Sequence, residues 1–298
     1  MRLVTHQRYA DEIGPATYTA NETTLTITTP PYVAAEKHFN DMLWPICASI
    51  IPMIREQKLH AFPNKAERQV CPFEYTYGMD IFEYLRQNQE MKEAFDLYMQ
   101  MRREGSQAQW FDTYCAGTGL VSGELKNGKD DVLIVDVGGN KGHEIAKFRE
   151  HFPDLPGRCI VQDLPETIPS TDDLPDGVEA MAHDFFTTQP IVGAKLYYFR
   201  AVMHNWSDTD CRKILRRTID AMESEYSRIL IDEFIMPETG ADARQASVDV
   251  LMLLNVGGTE RGLRQWEELI ASVGLEIVRV WEPRGRRESV IECKVKDG

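Results

Sequence analysis

The segment Val132-Leu-Ile-Val-Asp-Val-Gly-Gly-Asn-Lys-Gly-His143 constrains this chain more than any other stretch. A short, almost wholly apolar β-type run ends in glycines and passes directly into a helical pattern over Lys141–His151. A strand that apolar is buried on both faces, the condition of a parallel sheet rather than of one with a wet side. Glycine at its end lets backbone approach a ligand closely, and the helix that follows presents free N–H groups. Asp163 follows at the end of the next β-type run, where an acid accepts hydrogen bonds from the ribose hydroxyls of a nucleotide-like ligand. Gly138-Gly139-Asn140-Lys141-Gly142 departs from the strict G-x-G-x-x-G pattern, and a plain strand-to-helix turn would use the same glycines. The acids Asp136 and Asp163 tilt the segment towards ligand binding.

Further apolar β-type runs stand at Arg158–Gln162, Val178–Ala182, Lys195–Phe199 and Arg228–Asp232, with helix-like stretches at Asp208–Met222 and Arg264–Ser272. This alternation predicts an α/β fold with a parallel sheet covered on both faces. Glu276–Trp281 and Ser289–Val295 lie too close, around Pro283-Arg284-Gly285-Arg286, for a crossover helix, so as neighbours they must pair antiparallel. The expected architecture is a Rossmann-like, seven-stranded sheet with a terminal antiparallel hairpin.

The first part of the chain reads as mainly helical over Val33–Glu56 and Asp80–Tyr114, after a small hairpin from Ala16–Thr19 and Thr23–Thr29. The Gly- and charge-rich joint Gly117–Asp131 reads as a linker, giving a helical domain over 1–118 and a ligand-binding domain over 119–298. With 33 basic against 47 acidic residues the net charge is −14, which disfavours nucleic acid and anionic membranes as partners. The longest apolar stretch, Trp44–Ile54, is too short to span a bilayer and holds Pro45 and Pro52. No signal-peptide pattern opens the chain, and six dispersed cysteines without a C-x-x-C pair suit reduced, packed thiols. The expected setting is cytoplasmic.

A second cluster is Tyr197-Tyr-Phe-Arg-Ala-Val-Met-His-Asn-Trp-Ser-Asp208. Its strand delivers Arg200 and then His204 at the sheet edge where open α/β folds bind ligands, and Ser207 and Asp208 read as the start of the next helix. A lone histidine is commonly structural. At this position a neutral imidazole has the right range to take a proton from a hydroxyl. Glu233 and Glu260 fall where later elements meet the same crevice. Either could orient His204 from the other ring nitrogen, or both could simply face solvent.

Several segments in order, Asp136-Val-Gly-Gly139, Gln162-Asp-Leu-Pro165, Ala182-His-Asp-Phe-Phe186, Arg200 to Asp208 and Glu260-Arg261, resemble the plant-caffeate-type O-methyltransferase family in its fungal secondary-metabolism branch. The likeness runs from Ile13-Gly14-Pro15-Ala16-Thr17-Tyr18 to Val290-Ile291-Glu292. It implies S-adenosylmethionine as methyl donor and a small-molecule phenolic or enolic acceptor of polyketide type. By position it implies that Gly138 and Gly139 line the donor, that Asp163 binds its ribose and that Asp184 and Phe185 frame the adenine. Arg200 then stands where the family has a basic donor-contacting residue, and Trp206 packs on the adenine. His204 matches the general base, with Glu233 and Glu260 its two acids. Met99, Trp110, Phe111, Met203, Met252 and Asn255 are expected in an acceptor pocket under the helical part, or else in the core. No metal is expected. Family members form homodimers through additional N-terminal helices and the front of a winged helix. This chain starts near the wing and is expected to expose surface that normally interlocks. Asn140 and Gly262 depart from the Gly and Thr usual at those places. A non-methylating enzyme of the same fold (a pericyclase or dehydratase) and a truncated inactive homologue are the alternatives.

Overall fold

A computed structural model describes residues 1–56, 70–104, 108–118, 125–126, 128–168, 170, 173–282 and 288–296. Among these, residues 1–56 and 70–104 form one unit and residues from 108 onward a second.

The first unit opens with a short helix α1 (Arg2–His6) and an antiparallel hairpin, β1 (Asp11–Gly14) with β2 (Thr17–Thr19). The alternating Thr23–Thr29 stretch, expected as a strand, is instead helix α2 (Glu22–Ile27). A reciprocal cap overrides its β propensity: the Asn21 side chain accepts from Thr24 N while Asn21 N donates to Thr24 Oγ1. Helices α3 (Pro30–Lys37) and α4 (Trp44–Glu56) follow, joined by one π-helical turn, His38–Leu43. Then come α5 (Pro72–Tyr77), α6 (Ile81–Gln87) and α7 (Gln89–Glu104), with α3 packed on α7.

The second unit begins with α8 (Trp110–Thr118), placed on the other side of the expected division at 118. The reason is burial: Trp110, Phe111, Tyr114 and Cys115 pack into one face of the sheet, beside Ile134, Phe148 and Tyr198. Gly117 and Thr118, expected in the linker, therefore still belong to a helix. Residues 119–124 and 127 of that linker lie outside the described residues.

The sheet holds β3 (Val132–Val137), β4 (Arg158–Asp163), β5 (Val178–Ala182), β6 (Leu196–Arg200), β7 (Arg228–Glu233), β10 (Leu275–Trp281) and β11 (Ser289–Val295) in the order β10-β11-β7-β6-β3-β4-β5. All pairings from β7 to β5 are parallel, and β11 inserts antiparallel between β7 and β10. The turn at 283–286 lies outside the described residues. Alternation along β6 sends Leu196 and Tyr198 to one face and Tyr197 and Phe199 to the other, so both faces are core. α9 (His143–His151) and α10 (Asp208–Ile219) match expectation. α11 (Ala243–Val256) and a two-residue parallel pair, β8 (Ile235–Met236) with β9 (Arg261–Gly262), were not anticipated, and α12 (Leu263–Ala271) follows. Strand order reverses at β3, between β4 and β6, so the ligand crevice lies beyond the C-terminal ends of those strands. No helix among the described residues is long and apolar enough to cross a membrane.

Candidate active site

β6 ends at Arg200 and releases the chain into a single 3-10 turn, Met203–Asn205, before Ser207 caps α10 by accepting from Asp210 N. This turn sets His204 beyond the C-terminal end of a central strand. Glu233 is the last residue of the neighbouring strand β7, and Glu260 immediately precedes β9. The parallel register of Ile235 with Arg261 brings both acids alongside the histidine. His204 Nδ1 lies 2.7 Å from Glu260 Oε1 and 3.4 Å from Glu233 Oε2, and His204 N donates to Glu233 Oε1 at 3.3 Å. An ionised carboxylate only accepts, so Nδ1 is the donor and the lone pair of the neutral ring sits on Nε2. Burial pushes the Glu233 carboxyl up to about 7, against the opposing pull of His204. The sequence left open which acid serves the ring. The structure brings both to it, with the tighter contact to Glu260.

The support of Glu260 was not legible. Asp249, on α11, accepts from Glu260 N at 2.8 Å and from Thr259 Oγ1 at 3.2 Å, holding the carboxylate's own backbone. Gly262 has an ordinary φ of −75° and is paired within β9, so the segment carrying Glu260 is anchored without the usual Thr. His204, Glu233 and Glu260 also place ligand atoms within 4.8 Å of one another, close enough to hold a cation, although the 2.7 Å contact is that of a hydrogen bond.

The residues expected to hold a nucleotide-like donor converge at the ends of β3, β4 and β5. Gly138 N and Gly139 N both donate to Gln162 O, which folds the glycine turn over the end of β4. A Cβ on Gly139 would drive into the Asp136 carboxylate and stand 2.7 Å from Val161 Cγ2, so only glycine fits there. Asn140 adopts φ 55°, a region Asn tolerates, and its N–H donates to Asp163 Oδ2 at 2.8 Å. The Asp163 carboxylate is thereby aimed at the turn. Phe185 lies beside Gly138 and makes an edge contact with Trp206 at 5.8 Å, and the Asp184 carboxylate accepts from Phe186 N. A glycine turn, a fixed carboxylate and an aromatic corner fit a nucleoside carrying ribose and adenine.

Arg200 is nearby but already engaged: it pairs with Glu144 at the start of α9 and lies 3.6 Å from Asp232, which accepts from the Tyr198 hydroxyl at 2.6 Å. Met252 and Asn255 share α11, and Met252 borders the Gly258 turn that touches the His204 backbone. Met203 is fully buried in the core. Trp110 stacks on Tyr198 at 4.6 Å and on Phe148 at 5.5 Å, and Phe111 is as deeply buried, so this pair is packing beneath the sheet rather than pocket lining. Met99 lies half-buried on α7 of the first unit.

A family model described as O-methyltransferase domain matches residues 57–276. The Aspergillus candidus protein named methyltransferase cfoC is 35% identical over 282 residues, covering 94% of this chain and 69% of its own length. Demethylsterigmatocystin 6-O-methyltransferase of Aspergillus parasiticus is 37% identical over 272 residues, covering 90% and 67%. A solved complex of LepI with S-adenosylmethionine superposes with a TM-score of 0.85 at 27% identity, covering 99% of this chain and 75% of that one.

Proposed function

The chain belongs to the O-methyltransferase domain family, and from that premise we propose that His204 is the general base that deprotonates a phenolic or enolic hydroxyl of a small, polyketide-like metabolite for methylation. When bound, S-adenosylmethionine supplies a methyl group on a sulfonium whose thioether leaving group is neutral, so the protein must provide alignment and remove one proton. Gly138, Gly139, Asp163, Asp184, Phe185 and Trp206 are the residues that would hold that donor. The acceptor proton passes to His204 Nε2, and Glu260, hydrogen-bonded to Nδ1, stabilises the imidazolium that forms. Glu233 braces the same ring and its backbone N–H.

The observation that carries this reading is the 2.7 Å contact of His204 Nδ1 with the buried Glu260 carboxylate, which orients the ring and stabilises its protonated form. A methyl-labelled donor incubated with resorcinol, emodin and 1-hydroxyxanthone tests it, with label followed into product by mass spectrometry. Removing a general base costs about 10²–10⁴-fold, and His204→Ala is expected to lose that much kcat on whichever probe is turned over. An unchanged rate in the variant would remove His204 from the chemistry. Conversion of a probe without label would instead point to a non-methylating reaction.

A further inference from the structure

Arg261 follows Glu260 in sequence and is one of the largest fully buried side chains, with 1% of its surface exposed. Its guanidinium grips the turn that carries His204 from behind. Nη1 donates to Met203 O at 3.0 Å and Nη2 to Trp206 O at 2.9 Å, while Nε and Nη2 reach Asp208 Oδ1 at 3.0 and 2.8 Å. These acceptors lie immediately before the histidine, two residues after it and four residues after it. Met203 O also accepts from Trp206 N at 3.2 Å and from Cys211 Sγ at 3.3 Å, and Trp206 O from Cys211 Sγ at 3.6 Å, but only the guanidinium joins both carbonyls to the Asp208 carboxylate. The same segment reaches the histidine a second time: Thr259 N donates to His204 O at 3.0 Å, and a side chain on Gly258 would collide with that oxygen. The Arg261 cation also lies 5.2 Å from the Trp266 ring on α12, which ties the fork to the core.

Resting on the assignment of His204 as base, we propose that Arg261 is a positioning residue for methyl transfer. One short segment then supplies both the carboxylate that orients the imidazole and the guanidinium that fixes the backbone beneath it. Because Glu260 and Arg261 are consecutive, any shift of the turn moves the ring relative to its acid. A planar five-donor fork can satisfy two carbonyls and a carboxylate at once, whereas a lysine ammonium on a flexible stem cannot hold that geometry.

Arg261→Lys and Arg261→Met are compared with the parent and with His204→Ala. Calorimetry with S-adenosylhomocysteine counts folded donor sites, emodin serves as acceptor probe, and crystals with S-adenosylhomocysteine report the turn. Misplacement of a reacting group by about 1 Å costs about 10²-fold. Arg261→Met is accordingly expected to lose about 100-fold in kcat per donor site and Arg261→Lys about 10-fold. In the crystal the Nδ1 to Glu260 hydrogen bond is expected to be broken. Parental kcat per site in Arg261→Lys, or a turn superposing on the parent with that bond intact, overturns the proposal. If Arg261→Met binds no donor, Arg261→Lys decides by the same criteria. If His204→Ala keeps the parental rate, the base assignment fails, and positioning is judged on the crystal geometry alone.

Discussion

At the scale of single residues, the two acids beside His204 are not equivalent. Glu260 makes the 2.7 Å contact to the ring, whereas Glu233 stands at 3.4 Å and spends its other oxygen on the His204 backbone. Glu260→Gln is therefore expected to cost more kcat than Glu233→Gln, about 10²-fold against less than about 10-fold, because the first replaces the carboxylate in hydrogen-bond contact with the ring and the second one that stands farther off. Steady-state kinetics on a turned-over phenol reads the ranking, and a reversed order would move the orienting role to Glu233. The buried Glu233 carboxyl also carries a stability signature. Its pKa in the folded chain is raised, chiefly by burial, to about 7 from the ordinary 4.5. The folded state thus holds the proton more tightly than the unfolded state does, and the associated stability is complete below about pH 4.5 and lost as pH rises through about 7. Urea melts at pH 5 and pH 8 are expected to show the parent losing up to a few kcal/mol across that interval. Glu233→Gln, which cannot ionise, should lose less. An equal loss in both proteins would mean that Glu233 does not titrate there.

At the scale of elements, the strand–turn–helix of β3 and α9 was legible because every level pointed the same way: an apolar run, glycines at its end and a helical pattern after it. Its glycine turn yields a sharp prediction. A methyl group at Gly139 would collide with the Asp136 carboxylate and Val161, so Gly139→Ala must shift the turn or those buried side chains. Overpacking of this kind costs about 1–3 kcal/mol, and calorimetry with S-adenosylhomocysteine should show donor affinity falling at least about tenfold. Asn140→Gly, at a position already in the left-handed region, is expected to leave affinity within about twofold. Loss of binding in both variants, or in neither, would detach the turn from the donor. Other elements were harder to read. α11 escaped notice although Asp242 and Gln245 form a reciprocal cap at its start, because its apolar residues continue into a glycine turn without a clean period. Asp249 and Arg261 were not read as site residues because much of what they hold is backbone, which leaves no mark in a sequence, and their side-chain partners, Thr259 and Asp208, carry no chemistry of their own there. Trp110 and Phe111 were left open between pocket and core: an aromatic pair on a helix looks the same in sequence whichever it does, and it is the contacts with Tyr198 and Phe148 that place them in the core.

At the scale of the whole molecule, the charge of −14 acts on the donor and on its product differently. S-adenosylmethionine carries one more positive charge than S-adenosylhomocysteine, namely the sulfonium. Near the candidate donor turn the fixed charges reinforce the global sign. Asp136, Asp163 and Asp184 border it against the one cation of the turn itself, Lys141, and Arg200 is matched by two carboxylates, Glu144 and Asp232, leaving a local excess of negative charge. A field of this kind attracts the sulfonium and weakens with salt, whereas binding of the neutral thioether draws on it far less. Raising salt from about 0.01 M to about 0.1 M shortens the Debye length from about 30 Å to about 10 Å. Over that interval the Kd for S-adenosylmethionine is expected to rise about two- to threefold, and that for S-adenosylhomocysteine by less than about 1.5-fold. Titration calorimetry of both ligands at the two salt concentrations makes the comparison directly. Equal salt slopes would show that the donor's charge is recognised only through short-range contacts, with the acidic surface playing no part in selecting reactant over product.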